Sequence, residues 1–213
     1  MTKIVWNASG ERGFETGIEK TVVYTNNFSP VPWYGVASIT NTPTGGEVAG
    51  SYYDGKKYLN SFSKQEFKAT IKAYSIPFEL ENSLGKKMLG NVGLSVTQQE
   101  SSFFNISYQT KVGNDTQGLY KGYKIHLIFN AISNSSDNNY QTIGSNITTN
   151  PFSIVINAVP PVINGVVFSS YMIIDSTKHS EPQMNLITDI LYGTSTTLPR
   201  FITHYELAMI LGG

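Results

Sequence analysis

The chain has 213 residues, with Lys+Arg and Asp+Glu at 15 each, so nothing in its charge balance draws it toward nucleic acid or an anionic membrane. It contains no cysteine, which excludes a disulfide framework and any thiolate metal site. Charged residues make up only 14%, the polar character coming from Asn, Ser, Thr, Gln and Tyr, a composition that suits sheet surfaces. The length is enough to bury a sizeable core, and one domain over 1–213 is the expectation. No apolar run approaches a membrane span, and MTKIVWNASGERGFETG lacks the apolar core of a signal peptide, so a soluble protein made without secretory targeting is expected. Without such a signal the sequons at Asn7, Asn27, Asn105, Asn114, Asn134 and Asn146 are expected to be unmodified.

In chain order, 3–6 reads as a short edge strand and 7–17, with its glycines and mixed charge, as an ordered loop. TVVYT (21–25) and VASIT (36–40) are strands, and Pro30 and Pro32 keep the connection between them out of any central ladder. After a turn cluster at 41–46, two strand-like runs at 48–53 and 57–62 flank Asp54-Gly55, a strong hairpin signal. Residues 63–76 carry conflicting signals. Ser63 to Glu66 has the form of a capping box, whereas Phe67, Ala69, Ile71 and Ala73 alternate with polar neighbours; the two-residue period predicts a strand over 67–76, stopped by Pro77. Residues 77–102 form an insertion too long for an ordinary connection, either a functional loop or a hairpin.

Residues 103–132 read as a long β-ribbon. In its first arm Phe104, Ile106, Tyr108, Thr110 and Val112 share a face; in its second, Tyr123, Ile125, Leu127 and Phe129 alternate with Lys124, His126 and Asn130. Ile128 interrupts that polar face as if something covers it too. Two strands do not stand alone in water, so other segments must pair with the ribbon and pack beneath it. Residues 133–150 form a polar loop, and 152–159 and 166–174 are nearly apolar strands that imply cover on both faces. Ser180 begins a capped helix over about 181–192, stopped by Gly193, and Thr203 to Glu206 forms a second capping box before a short apolar helix in the C-terminal extension 201–213. The expected class is α+β, mainly β: two packed antiparallel sheets with one flanking α-helix and long assembly loops.

The residues offer little to chemistry. Gly50 to Lys57 fits GxxxxGK, but Lys57 stands where a magnesium-binding hydroxyl belongs and the stretch spans a hairpin turn. His126, His179 and His204 lie far apart, none with a second ligand at metal spacing, and His126 reads as a polar residue on a strand face. There is no GxSxG elbow. Glu79 with Glu81, or Glu11, Glu15 and Glu19, could approach other acids in space, but the aromatic residues alternate along strands as a core does and do not gather as a sugar cleft would require. No catalytic, cofactor-binding or metal residue is assigned, and neither a cofactor nor an enzymatic activity is expected. Surplus strands instead leave sheet edges whose unpaired backbone groups must be blunted or used for pairing with another chain.

In this order, Trp6-Asn-Ala-Ser-Gly-Glu-Arg-Gly-Phe-Glu-Thr-Gly-Ile-Glu-Lys20, Pro32-Trp-Tyr-Gly35, Tyr53-Asp-Gly-Lys-Lys-Tyr58, Tyr108-Gln-Thr-Lys-Val-Gly-Asn-Asp-Thr116, Gly122-Tyr-Lys-Ile-His126, Ile174-Asp-Ser-Thr177 and Ile190-Leu-Tyr-Gly193 resemble the major tail proteins, or tail tube proteins, of siphovirus-type bacteriophages with Gram-positive hosts. Residues 77–102, 133–150 and 201–213 depart from the pattern. The resemblance implies a tail-tube β-sandwich or barrel, assembled in the host cytoplasm as hexameric rings that stack into a virion tail tube and conduct the genome at ejection. The implied partners are further copies of the chain, a tape measure protein in the lumen, tail terminator and baseplate or distal tail proteins at the ends, and double-stranded DNA in non-specific passage; no membrane is involved. Four strands from each of six copies, about 24 at ~4.8 Å spacing and ~40° tilt, would close a backbone cylinder roughly 48 Å across. A bore lined by polar and acidic side chains is expected, since phosphate-neutralising Lys or Arg would hold the cargo. Residues 7–20 and 77–102 are expected to make the inter-subunit contacts. The alternative is a carbohydrate-binding β-sandwich of a phage baseplate or cell surface, with Trp33 and exposed tyrosines as its platform.

Overall fold

The computed structural model describes residues 3, 4, 6, 8–26, 28–46, 48–62, 64–89, 93–133, 140, 142 and 150–212. The expected sequons at Asn7, Asn27, Asn134 and Asn146, the Ser63 cap and most of loop 133–150 lie outside them. The fold is α+β and mainly β. Its strands are β1 (Gly13–Thr25), β2 (Val31–Pro32), β3 (Val36–Asn41), β4 (Val48–Tyr53), β5 (Lys56–Phe62), β6 (Phe67–Ala73), β7 (Lys87–Leu89), β8 (Leu94–Val96), β9 (Phe104–Asn114), β10 (Gly118–Ser133), β11 (Phe152–Ala158), β12 (Val162–Ile163), β13 (Val166–Val167) and β14 (Tyr171–Asp175). Its helices are α1 (Phe78–Glu81), α2 (Glu181–Tyr192) and α3 (His204–Leu211).

The expected ribbon is β9 and β10, and its register decides the architecture. Ile106 lies opposite Ile128, Tyr108 opposite His126 and Thr110 opposite Lys124 on one face, while Ser107 opposes Leu127 and Gln109 opposes Ile125 on the other. The apolar sets of the two arms therefore point in opposite directions, and both faces of the ribbon must be covered. On the first face Phe104, Ile106, Tyr108 and Ile128 join Val23, Trp33, Ile71 and Ile154 in one core. On the second, Ile125, Leu127 and Phe129 pack under Met184, Ile187 and Leu191 of α2 and Leu207 of α3. Both helices start at complete capping boxes, Ser180 with Gln183 and Thr203 with Glu206, as the residue pattern requires. Two helices thus flank the sheet where one was expected, because α3 adds its apolar stripe to the same layer.

The expected pair of packed sheets is a single eight-stranded sheet, ordered β2-β1-β9-β10-β11-β6-β3, with β14 also bonded to β10. The reason lies in β10. Lys124 to Ile128 pair with β14, then the strand bulges at Asn130, whose φ is +48°, and Ala131 to Ser133 pair with β11. A bulge bends its strand, and the change of partner across it curls the sheet until β1 and β3, near its two ends, line a common cleft through Ile18 and Ile39.

Other departures have local causes. Lys3, Ile4 and Trp6 lie outside strands, whereas residues 13–17, read as loop, begin β1 because Gly13 and Phe14 pair with Asn114 and Gly113 at the ribbon tip. A Cβ at Gly113 would collide with the Gly118 carbonyl oxygen across the ribbon tip as well as with the Phe14 ring, so only glycine fits. Residues 67–73 form a strand, as their alternation indicates. The run 166–174 is broken into β13 and β14, the first of them closing a hairpin on β12 across Asn164-Gly165. The insertion 77–102 holds α1, a 3₁₀ turn at Asn82–Leu84 and the β7–β8 hairpin.

Leu127 and Ile128 are adjacent, fully buried and on opposite faces. Leu127→Ala and Ile128→Ala are each expected to cost about 2–5 kcal/mol in denaturant unfolding; a cost below ~1 kcal/mol for either would mean that one face of the ribbon is uncovered.

Candidate assembly surface

The two ends of the large sheet differ. At one end β2 is only two residues long and contains Pro32, flanked by Pro30, which blunts the edge. The free side of β1 before Val22 is interrupted by register shifts on either side of Glu19, and Gly17 and Lys20 have φ values of +73° and +51°. At the other end β3, VASITN, has no charge and no proline, and among the described residues its backbone ladder pairs with β6 alone. It is the longer unprotected edge.

Three hairpins stand outside the large sheet. β4–β5 turns at Asp54 and Gly55, both at positive φ, and exposes Tyr52, Tyr53, Tyr58 and Leu59, the rings of Tyr53 and Tyr58 meeting edge to face at 6.5 Å. β7–β8 exposes Leu89 and Leu94, and β12–β13 exposes Val162, Ile163, Val166 and Val167. Isolated two-stranded hairpins are marginal in water, so these arms gain most when something covers them.

The two segments expected to reach neighbouring subunits are fastened at their bases to their own chain. The Gly10 amide donates to Asp115 Oδ1 at 3.0 Å, and Asn114 Nδ2 donates to the Gly10 carbonyl at 3.0 Å. In the insertion Leu80 is fully buried, the Gln99 amide donates to the Gly85 carbonyl at 3.0 Å, and the hydroxyls of Ser83 and Ser102 lie 3.0 Å apart. What remains exposed is Leu89 and Leu94 of β7–β8 and, before β1, Ile4 and Trp6, the latter 81% exposed.

A polar cluster behind the cleft joins five strands, β1, β3, β9, β10 and β14. The Thr110 hydroxyl donates to Glu15 Oε1 at 2.6 Å and lies 2.8 Å from His126 Nε2; His126 Nδ1 is 2.7 Å from the Tyr171 hydroxyl, which accepts from Asn41 Nδ2 at 3.2 Å. One neutral tautomer satisfies this order: Nε2–H donates to Thr110, and Nδ1 accepts from Tyr171. Lys124 Nζ donates to Glu15 Oε2 at 2.5 Å, and the Tyr108 ring stacks on His126 at 4.5 Å. Burial tends to raise the Glu15 carboxyl, but the hydrogen bonds from Lys124 and Thr110 outweigh it and hold the pKa below the ordinary value. Burial lowers His126 below its usual value near 6.5, against the pull of Glu15. The set resembles an acid–base relay in its elements. With each imidazole nitrogen and both carboxylate oxygens engaged inside the fold, its work is to pin β1 to β9, β10 and β14.

The spacing of the sequence places Glu15 in a loop and His126 on a polar strand face; the structure brings them together. Their separation in the chain hides the pairing, and a polar residue opposite Tyr108 in the ribbon was the one available signal. Glu19 pairs with Lys111 at 3.1 Å, while Glu79 and Glu81 both lie in α1. Gly50 to Lys57 spans the β4–β5 turn, as its composition indicates. Among the described residues no three His, Asp or Glu side chains are placed to hold a metal ion. Trp33 corrects an expectation: it is 3% exposed in the core, its Nε1 donating to the Ser75 carbonyl at 2.7 Å, and cannot serve as a sugar platform.

The lowered pKa of His126 means that the fold favours its neutral form. That stability is complete above pH ~6.5 and is lost as pH falls below it toward the folded value, and the depressed Glu15 adds a loss in the same direction at lower pH. The thermal midpoint is expected to fall between pH 7 and 5.5, and His126→Gln, though less stable at pH 7, to show a flatter dependence over that window. An equally steep dependence in the variant would place the titrating group elsewhere.

No protein-family model matches the chain, and no curated protein matches it. Among solved structures it is similar to a chain in the cryo-EM structure of the anti-feeding prophage baseplate, 6-fold symmetrised, at 10% identity over 83% of this chain and 100% of that one, with a TM-score of 0.37. It is similar also to a chain in the anti-feeding prophage cap, the tube-terminating cap, at 11% identity over 83% and 97%, with a TM-score of 0.33. Likeness of that degree carries no functional argument for this chain.

Proposed function

We propose that the chain is a structural virion protein, the tail tube protein of a long-tailed phage, whose copies form hexameric rings stacked into the conduit for the genome. The observation that carries this reading is the unfinished periphery: an uncharged free edge on β3 and three projecting hairpins with exposed Tyr, Leu, Val and Ile, around a body whose two cores are filled. Exposed edges and apolar arms of this kind are liabilities in a monomer and assets in an assembly. The resemblance of the ordered sequence blocks to major tail proteins supplies the direction. In this reading the whole of 1–213 acts as one subunit domain, the rings surround a tape measure protein, and terminator and baseplate proteins close the ends. The subunit binds its own kind and catalyses nothing. A carbohydrate-binding module is the weaker reading, because burial of Trp33 removes its central platform.

Negative-stain micrographs of the concentrated purified protein are expected to show rings or tubes; a monodisperse monomer at every concentration would refute the reading. Preformed tubes are expected not to retain duplex DNA even in dilute salt. Retention that weakens steeply as salt rises would instead reveal a phosphate-binding bore.

A further inference from the structure

The β12–β13 hairpin and one groove of the same molecule are chemically matched and mutually out of reach. Residues 152–174, which contain the hairpin, include no Asp, Glu, Lys, Arg or His. Asn164 and Gly165, with φ values of +51° and +78°, form its tight turn, and the root is fixed by the Phe168 amide donating to the Pro161 carbonyl at 2.9 Å and the Val159 amide to the Asn130 carbonyl at 3.1 Å. The tip is thus a preorganised aliphatic wedge that loses little freedom on docking. The groove, about 460 Å³, lies between the β1–β2 edge and the end of α2, walled by Val22, Pro30, Pro32, Leu191 and Pro199 with Tyr34. Lys20 is the one charged residue lining it.

The hairpin joins β11 to β14, and both of those strands lie on the side of β10 away from β9, whereas the groove lies beyond β9 at β1 and β2. Two central strands separate them, so the wedge cannot fill its own groove. We propose that it fills the groove of a second copy. The inference rests on the reading of the chain as self-assembling, and it specifies the contact as heterologous: each copy offers a wedge on one side and a groove on the other, so the contact propagates into a ring or a filament. A lipid surface fits the wedge less well, since residues 152–174 supply neither the basic side chains nor the Trp that would engage headgroups.

The absence of native cysteine makes the test direct. Ile163→Cys and Tyr34→Cys proteins, mixed and mildly oxidised, are expected to give a disulfide heterodimer, and the double variant a ladder of multimers on non-reducing gels. Adding Val162→Asp and Val166→Asp is expected to abolish the ladder while the far-UV circular dichroism stays unchanged. A second pairing, Val167→Cys with Pro199→Cys, repeats the test should the first pair disturb folding. Ile163→Cys alone cross-linking as fast as the mixture would overturn the wedge-in-groove contact in favour of tip against tip. No product at concentrations where micrographs show tubes would overturn it and leave the tube reading standing; a ladder without rings or tubes would do the reverse. Binding of the wild type to vesicles of equimolar phosphatidylcholine and phosphatidylglycerol, lost in the Asp variant and without any inter-chain product, would also overturn it.

Discussion

The structure depends on one feature of the β9–β10 pairing: its two strands turn their apolar side chains to opposite faces. Directly opposed residues share a face, so Ile106 with Ile128 requires a cover on one side and Leu127 beside Ser107 requires one on the other. A ribbon of ordinary amphipathic design would need one layer. This one needs two, and the curled sheet and the α2–α3 layer are the two answers.

The same register buries polar side chains, and the fold turns them into pins. Ser107 on the helix face meets the Tyr24 hydroxyl at 3.1 Å, and that hydroxyl also donates to the Leu191 carbonyl at 2.8 Å, tying β1, β9 and α2 together. On the other face Thr110 and His126 draw in Glu15, Lys124 and Tyr171, tying β1 across the ribbon to β14. Unpaired, such groups would each cost roughly 1–3 kcal/mol in desolvation, so every pin also specifies which element must lie above it.

The interior contrasts with the periphery. The buried side chains of Ser107, Thr110 and His126 find partners within the chain, whereas the uncharged edge of β3 and the aliphatic tip of β12–β13 are left to solvent in a single copy. The C-terminal extension docks on the body: Ile202 and Leu207 join the core beneath α2, and Gln183 Nε2 donates to the Ile210 carbonyl at 2.8 Å, while Glu206, accepting from Arg200 and from the Thr203 amide and hydroxyl, fixes the start of α3. The arrangement separates what stabilises the chain itself from what it leaves exposed.

Local pattern alone determined the elements whose signals are short-ranged. The ribbon arms followed from a two-residue period, the β4–β5 hairpin from Asp54-Gly55, both long helices from their capping boxes, and the β6 strand from alternation strong enough to defeat a competing cap; each depends on contacts between near neighbours in the chain. The tertiary structure decided whatever depends on distant partners. Residues 13–17 became strand because Asn114 and Gly113 were waiting at the ribbon tip, Trp33 went inside because the curl enclosed it, and Glu15 met His126 only when β1 was laid along β9. The exchange of two expected sheets for one curled sheet came from a single bulge at Asn130, whose effect on the direction of β10 depends on β11 and β14 both being present to pair beyond and before it.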